Sequence, residues 1–328
     1  MISTEQKQEE LKSLTVITPV FNDWDCLPSL IGGLGRIQES LAHIHLLIIN
    51  DGSTQNPSIN ALDFPEWITS IKVVHVGCNV GHQRAIAIGI SEVVRHSYSS
   101  LVMVIDSDGE DIPEDVHYLL SAIRKKPEAI VVAKRKGRTE NQKFKASYRC
   151  FKLLFELLTG KRLDFGNFSI FTYNNAVRLA YMPELWNHFP ATVLKSRLLI
   201  YKVPLDRGKR FMGSSKMSFA PLISHGLAAI SVMLEIVFSR ILVIASILIL
   251  TLFCLGLVIL AVRFNTGLAI PGWATTTLGF TLISLLQIMA LVALITFQTL
   301  SSRSRFSRPT VKVASEYILN IQSIRESA

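Results

Sequence analysis

From Ile241 to Val262 twenty-two residues pass without a charged side chain, and after Arg263 another thirty-nine follow, from Phe264 to Ser302. At about 1.5 Å rise per residue the first run makes a helix of about 33 Å, enough for a hydrocarbon core of about 30 Å. The second run is broken at Asn265, Gly267 and the Pro271-Gly272-Trp273 turn, which leaves Ala274–Leu300 as one more span. A hairpin buried in a large soluble core is the other structure such runs can make, and their length argues against it. Two membrane helices are expected, over 236–262 and 274–300.

The charges outside these runs are unevenly placed. Residues 1–130 carry 9 basic and 17 acidic side chains, residues 131–235 carry 18 and 6, and residues 236–328 carry 7 and 2. The link between the spans, 263–273, holds only Arg263, whereas 301–328 holds Arg303, Arg305, Arg308, Lys312 and Arg325. With the basic region ahead of the first span, the positive-inside rule puts both termini in the cytoplasm and the short loop outside. Met1–Glu10 is polar and acidic with no apolar stretch behind it, so no signal peptide is expected. Cys26, Cys78, Cys150 and Cys254 have no metal-type spacing and read as reduced residues of a cytosolic domain.

Ahead of the spans, short apolar runs alternate with helical patterns. Leu14–Val20, His45–Asn50, Ile71–Val76, Leu101–Asp106 and Ile130–Ala133 read as buried strands; Cys26–Ser40, Gln83–Arg95 and Pro113–Arg124 read as helices. That alternation predicts an open, mostly parallel α/β sheet, in which ligands bind beyond the carboxyl ends of the strands. The segments there are Pro19-Val20-Phe21-Asn22-Asp23, Asn50-Asp51-Gly52-Ser53-Thr54, Gly77-Cys78-Asn79-Val80-Gly81-His82 and Asp106-Ser107-Asp108. Each is compatible with ordinary turn chemistry. Four at one end of one sheet make a ligand site the stronger reading.

Asp106 and Asp108 carry the clearest chemistry. Two carboxylates one residue apart at the end of a buried strand repel each other and call for a cation. Hard oxygen donors suit Mg²⁺ or Mn²⁺. Asp111-Ile112-Pro113-Glu114 has the spacing of a capping box and is expected to start the next helix.

Residues 134–162 hold ten Lys and Arg against Glu140 and Glu156. Phe144, Tyr148, Phe151, Phe155 and Leu158 recur there at helical spacing, with Lys143, Lys145, Arg149 and Lys152 off the stripe. A basic amphipathic helix near 143–159 follows, either lying on an anionic membrane surface or packing its stripe on the sheet. Nucleic acid is not an expected partner, given the adjacent spans. Lys209, Arg210 and Lys216 lie in a Gly-Ser-rich stretch suited to phosphate, either of a lipid headgroup or of a donor pyrophosphate.

These motifs, in this order, resemble the family 2 glycosyltransferases with the GT-A fold. The similarity is greatest to the polyprenyl-phosphate branch, which includes dolichyl-phosphate mannose synthases and bactoprenol glucosyltransferases. It runs from about Thr15 to Trp273 and rests on Thr18-Pro19-Val20-Phe21-Asn22, on Asp51, and on Asn79-x-Gly81 followed by Ala85 and Gly89. It includes Asp106-x-Asp108-x-x-Asp111-x-Pro113-Glu114, Arg210-x-x-Gly213-x-Ser215-Lys216 and Pro271-Gly272-Trp273. The resemblance implies an α/β GT-A domain over 13–217, after a polar tail at 1–12. Beyond it come an interfacial helix at 218–235, the two spans joined by 263–273, and a basic cytoplasmic tail at 301–328.

The implied activity is metal-dependent, inverting transfer from a UDP- or GDP-linked sugar to a polyprenyl phosphate at the cytoplasmic face of a membrane, with the bacterial inner membrane the expected location. Asp106 and Asp108 would hold Mg²⁺ or Mn²⁺. Pro19, Phe21, Asn22, Asp51, Asn79, Gly81, Arg84, Asp106, Ser107 and Arg135 are assigned to the donor. Arg207, Arg210, Ser215 and Lys216 are assigned to phosphate and acceptor. A homo-oligomer is compatible with this scheme.

One departure matters. Where the family has Gly-Asp-Phe, with the aspartate a candidate base, this chain has Gly166-Asn167-Phe168. Asp164 could substitute, or no base is needed, because a phosphate monoester with a second pKa of about 6 is already largely dianionic. Asp108, Asp164 and Asn167 are therefore the residues assigned to catalysis. A processive polysaccharide synthase is disfavoured, since none of Trp24, Trp67, Trp186 and Trp273 follows an arginine and only two spans are present. Another lipid or saccharide acceptor, a nucleotidyltransferase and a non-catalytic nucleotide-sugar-binding scaffold are the remaining readings.

Overall fold

The computed structural model describes residues 11–55, 64–135, 142–212, 219–266, 272–304 and 307–326. Its strands are β1 (Ser13–Val20), β2 (His43–Asn50), β3 (Ser70–Val76), β4 (Leu101–Val104), β5 (Ile130–Arg135), β6 (Ser169–Thr172), β7 (Ile200–Leu205) and β8 (Ile318–Arg325). Its α-helices are α1 (Leu27–Leu34), α2 (His82–His96), α3 (Val116–Lys125), α4 (Gln142–Thr159), α5 (Tyr173–Ala180), α6 (Phe189–Lys195), α7 (Phe219–Val232), α8 (Leu234–Asn265), α9 (Trp273–Ser304) and α10 (Thr310–Ala314).

The strands form one sheet in the order β7-β5-β6-β4-β1-β2-β3-β8. β4, β1, β2 and β3 are parallel, and β6 and β8 are antiparallel to their neighbours. The predicted mostly parallel α/β sheet is therefore what forms. Alternate residues of β1 serve opposite faces. Leu14 and Val16 pack under α1 and α3, with Leu30 and Leu119, while Ile17 packs under α2 with Ile86 and Ile90. All of these are essentially inaccessible to solvent, and each such side chain contributes about 1.5–3 kcal/mol of apolar burial. α2 lies close on the sheet because a β-carbon at Gly89 would stand 2.4 Å from Cγ2 of Ile17. A larger residue there would push helix from sheet.

The topology decides where chemistry can sit. The chain runs β1, β2, β3 to one side and then crosses to β4 on the other side of β1. The crevice beyond the ends of β1 and β4 is thus the switch point of the sheet, where open α/β folds bind ligands. β6 runs antiparallel to β4 with Ser169 opposite Val104. Its incoming loop, 166–168, therefore arrives at that same edge. β5 and β7 are parallel to each other and antiparallel to β6, so Arg135 and the segment after Leu205 end there too.

Three expectations need correction. The capping box at Asp111–Glu114 does not form: the short 3-10 turn Pro113–Asp115 is preceded by Ile112 with no side-chain cap, and Asp111 is drawn instead to Arg135. The helix predicted over 218–235 is broken at Met233, which separates α7 from α8. The segment 301–328 is more than a basic tail. β8 pairs with β3 as an edge strand of the sheet, and 308–326 belongs to the same compact unit as the first 232 residues.

The second compact unit, 233–307, consists of α8 and α9, which pack on each other. Leu234–Asn265 and Trp273–Ser301 have mean hydropathies of 3.0 and 2.4 over their most apolar windows, and those windows are 6% and 0% buried. Both are long and apolar enough to cross a membrane. The predicted basic helix is α4: Phe155 of its stripe is buried, and Phe151 meets Gly226 of α7 so closely that a β-carbon there would lie 2.7 Å from its ring. Leu153, Leu154 and Leu157 of α4 face outward. The side chains of Phe144 and Tyr148 lie outside the described set.

Candidate active site

A cavity of about 200 Å³ opens beyond the switch point, lined by Pro19, Val20, Phe21, Asp23, Asp51, Asn79, Gly81, His82, Asp106, Ser107, Asp108 and Arg210. All four strand-end segments meet here. Among the donor residues named from sequence, Pro19, Phe21, Asp51, Asn79, Gly81, Asp106 and Ser107 line it, and so do Asp108 and Arg210.

Hydrogen bonds between the strand-end segments hold this lining in place, although Asn22, also named for the donor, does not itself line the cavity. Asn22, at φ 56°, ties the end of β1 to the end of β2: its Oδ1 accepts from the backbone N–H groups of Thr54 and Gln55 at 2.9 and 3.1 Å. Asp51 is almost fully buried, and its carboxylate accepts from the N–H groups of Val80 (2.8 Å) and Gly81 (3.0 Å). Burial pushes the Asp51 carboxyl up, and those two N–H groups pull it back. Gly52, at φ +65°, must be glycine on two counts, since a β-carbon there would stand 2.6 Å from the backbone nitrogen of Asn79. Asn50 accepts from Ser53 N–H and contacts Nδ1 of His75 at 3.1 Å. His75 in turn meets Gln322 of β8 at 3.3 Å. The returning strand thus reaches, through His75, Asn50 at the end of β2, next to the lining residue Asp51.

The acidic segment after β4 is surrounded by cations. Oδ2 of Asp108 pairs with Nη2 of Arg210 at 2.6 Å, and its Oδ1 accepts from the N–H of Glu110 at 2.9 Å. Glu110 pairs with Arg207, and Asp111 with Nη2 of Arg135 at 2.7 Å. Backbone contacts close the loop after β7 on this segment, Gly208 N–H donating to Glu110 O and Phe211 N–H to Asp108 O. Burial raises the Asp108 carboxyl, and the neighbouring Asp106 charge raises it further, against the pull of the Glu110 N–H and Arg210. Two partly buried carboxylates that line one cavity offer the hard oxygen ligands that fit a divalent cation of the Mg²⁺ or Mn²⁺ type.

Asp106 has different company. Nε2 of His82, the first residue of α2, lies 3.1 Å from its Oδ1, and Nδ2 of Asn167 is 3.4 Å from both carboxylate oxygens. Burial disfavours the Asp106 charge most strongly, yet His82, Arg135 and Asn167 together outweigh it and hold the carboxyl below its usual range. The sequence places His82 in the Gly77–His82 strand-end segment and Gln83 at a helix start, without assigning a role to either. The signal available was their place directly after the Asn79-x-Gly81 turn, at a strand end and a helix start.

The remaining sequence-named residues lie elsewhere. Arg84 stacks over the Trp186 ring at 5.6 Å. Arg135 and Arg207 hold acidic neighbours of the cavity without lining it. Asp164 is clamped by Lys202 at 2.6 Å and Lys134 at 3.1 Å and does not line the cavity. Burial opposes its charge, but the two lysines prevail and its carboxyl titrates low. Ser215 and Lys216 lie outside the described residues.

Residues 15–185 match the description Glycosyl transferase family 2. The chain belongs to that family. It is a glycosyltransferase with a GT-A type sheet, and the sequence resemblance is borne out at this level. Among solved structures, a crystal structure of glucosyl-3-phosphoglycerate synthase from Mycobacterium tuberculosis, in complex with Mn²⁺, UDP-glucose and phosphoglyceric acid, superposes with a TM-score of 0.50. It shares 15% identity and covers 70% of this chain and 82% of that one. A second crystal structure of that enzyme with the same three ligands gives 0.49 at 14% identity, with 72% and 84% covered. This likeness is one of fold.

Proposed function

We propose that this glycosyltransferase moves a sugar from a UDP- or GDP-linked donor to a polyprenyl phosphate at the cytoplasmic face of a membrane, with inversion and with a divalent metal. The observation that carries the reading is the switch-point cavity, where Asp106 and Asp108 stand beside Arg210, in a unit whose chain leaves for two apolar helices and returns. A unit completed by β8 after those helices needs both of its connections on one side of a bilayer. That supports two spans with the loop at 263–273 on the opposite side from both connections, and the basic residues flanking the spans make the side of the connections the cytoplasmic one. The GT-A neighbour with TM-score 0.50 was crystallised with Mn²⁺ and UDP-glucose, the donor class and metal proposed here.

Asp106 and Asp108 would hold Mg²⁺ or Mn²⁺; when bound, the metal neutralises charge building on the departing nucleoside diphosphate. Pro19, Phe21, Asp51 and Asn79 shape the pocket for the nucleoside. Arg210, and Arg207 behind it, supply positive charge beside the leaving group. The lipid phosphate attacks the anomeric carbon in line: a carbon–oxygen bond to the acceptor forms as the bond to the diphosphate breaks. A dianionic phosphate has no proton to lose, so this chain needs no carboxylate base where it carries Asn167. Asp164, tied to two lysines, is poorly placed to act as one. The apolar outward face of α4 and the basic residues near it suit the membrane surface that delivers the acceptor.

The test is to incubate membranes containing the protein with radiolabelled nucleotide sugars, with and without polyprenyl phosphate and with and without EDTA. Chloroform-extractable label that depends on metal and lipid is expected. Label that stays in water would overturn the acceptor assignment, and label insensitive to EDTA would overturn the metal assignment.

A further inference from the structure

The backbone N–H of Phe189, the first residue of α6, is buried and donates to Oε1 of Gln83 at 2.8 Å. A backbone N–H can only donate, so this contact fixes which end of the Gln83 amide is oxygen. Nε2 of Gln83 therefore points away from α6, and it donates to Oδ1 of Asn167 at 3.0 Å. That contact in turn fixes the Asn167 amide. Its NH₂ group then faces the Asp106 carboxylate, 3.4 Å from each oxygen. One buried backbone donor thus sets the polarity of two successive side-chain amides and ends at a carboxylate lining the cavity.

We propose that Gln83 is a positioning residue of this glycosyltransferase: through Asn167 it fixes how the Asp106 carboxylate presents its remaining lone pairs to the donor. The proposal rests on the reading that Asp106 serves the metal and donor. It gives a reason for an amide at 167. The NH₂ group steadies Asp106 without adding charge, whereas a carboxylate at that place would repel it across 3.4 Å. Gln83 is 9% exposed, does not line the cavity, and touches no reacting group. Its effect travels through one neighbour.

The decisive variant is Gln83→Glu, which keeps the shape and still accepts from Phe189. Its second carboxylate oxygen faces Asn167, so the Asn167 amide turns over and presents oxygen to Asp106. The expected result is a fall of about tenfold in kcat and in Mn²⁺ affinity, the scale for groups that orient metal ligands, with Mn²⁺ binding read by electron paramagnetic resonance and the melting temperature unchanged. In an Asn167→Ala background the same substitution produces no further loss, since Gln83 then has nothing to orient. Asn167→Asp, which keeps the acceptor for Gln83 but removes the donor to Asp106, provides a second route should Gln83→Glu fold poorly. It is expected to lose activity by a similar factor. Wild-type kcat and Mn²⁺ affinity in Gln83→Glu, an equal loss in the Asn167→Ala background, or a gain in Asn167→Asp would each overturn the proposal. A wild-type enzyme indifferent to Mn²⁺ would instead overturn the reading of Asp106 on which it rests.

Discussion

Nη2 of Arg210 lies 2.6 Å from Oδ2 of Asp108, so the guanidinium takes up one of the carboxylate oxygens that a divalent cation would use. Cation and arginine compete for the same group. Arg210→Ala is therefore expected to bind Mn²⁺ more tightly in the absence of donor, by about tenfold for a lost coupling of about 1.4 kcal/mol. Its turnover should nonetheless fall, because positive charge beside the leaving diphosphate is lost. Mn²⁺ titration followed by electron paramagnetic resonance, set beside kcat, checks both halves. Tighter turnover-competent metal binding with undiminished kcat would show that Arg210 only blocks Asp108.

Gly52 joins the two strand-end segments that carry Asp51 and Asn79. Its φ of +65° and the 2.6 Å approach of a β-carbon to the Asn79 nitrogen both exclude a side chain. Gly52→Ala should strain the loop by about 1–3 kcal/mol and pull Asp51 off the Val80 and Gly81 N–H groups. The expected outcome is a donor KM raised about tenfold or more, with a smaller change in kcat. Steady-state kinetics over donor concentration separates the two.

Asp164 provides the opposite expectation. With Lys134 and Lys202 on its carboxylate, it ties together the neighbouring strands β5 and β7. Asp164→Asn should keep kcat within about threefold of wild type, below the roughly 10²-fold or greater loss typical of a general base. A loss of that larger size, with donor KM unchanged, would make Asp164 the base.

The parallel strands were legible because they are buried on both faces and read as runs of Val, Ile and Leu; the site was legible because such sheets bind ligands at strand ends. What escaped has physical reasons. β6 is four residues long and β8, ILNIQSIR, is an edge strand with half-exposed side chains, so neither shows a strong apolar run. β8 also pairs with β3 across some 250 residues and two apolar helices, a distance that no local pattern bridges. Asp111 has the spacing of a cap, yet burial at 3% exposure makes an arginine the better partner. Asn167 was noticed as a departure, but the amide chain that orients it runs through Gln83 and α6, which only the folded sheet brings together.

His188 caps α6 by accepting the Ala191 N–H on Nδ1 at 3.1 Å, and its Nε2 meets Nε2 of His225 on α7 at 3.1 Å. The pair can share one proton and not two. Burial holds His188 well below the usual range, and the His225 charge lowers it further. The unfolded chain therefore takes up a proton near pH 6.5 that the folded chain refuses, so stability is full above that pH and falls below it. His188→Asn keeps an oxygen to cap α6 and removes the titration. Melting temperatures of the detergent-solubilised protein at pH 7.5 and 5.5 should differ less in that variant than in wild type. An identical difference would remove the pair from the account.

Arg325, the last residue of β8, donates to the carbonyls of Pro65 at 2.6 Å, Ile68 at 3.1 Å and Phe64 at 3.0 Å. These carbonyls lie just before β3, so one guanidinium fastens the end of the edge strand to the start of its partner. Charge-assisted bonds of this kind are worth about 1.5–3 kcal/mol in total when the donor is removed and the carbonyls can turn to water. Arg325→Ala should lower the stability of the catalytic unit by that amount. Because the register near Ile71 and Lys72 is already irregular, fraying should begin at this end. Hydrogen exchange is expected to rise first at Ile324 and Ile71 and to leave β1 protected. Uniform loss of protection across the sheet would show instead that β8 and the parallel core unfold as one.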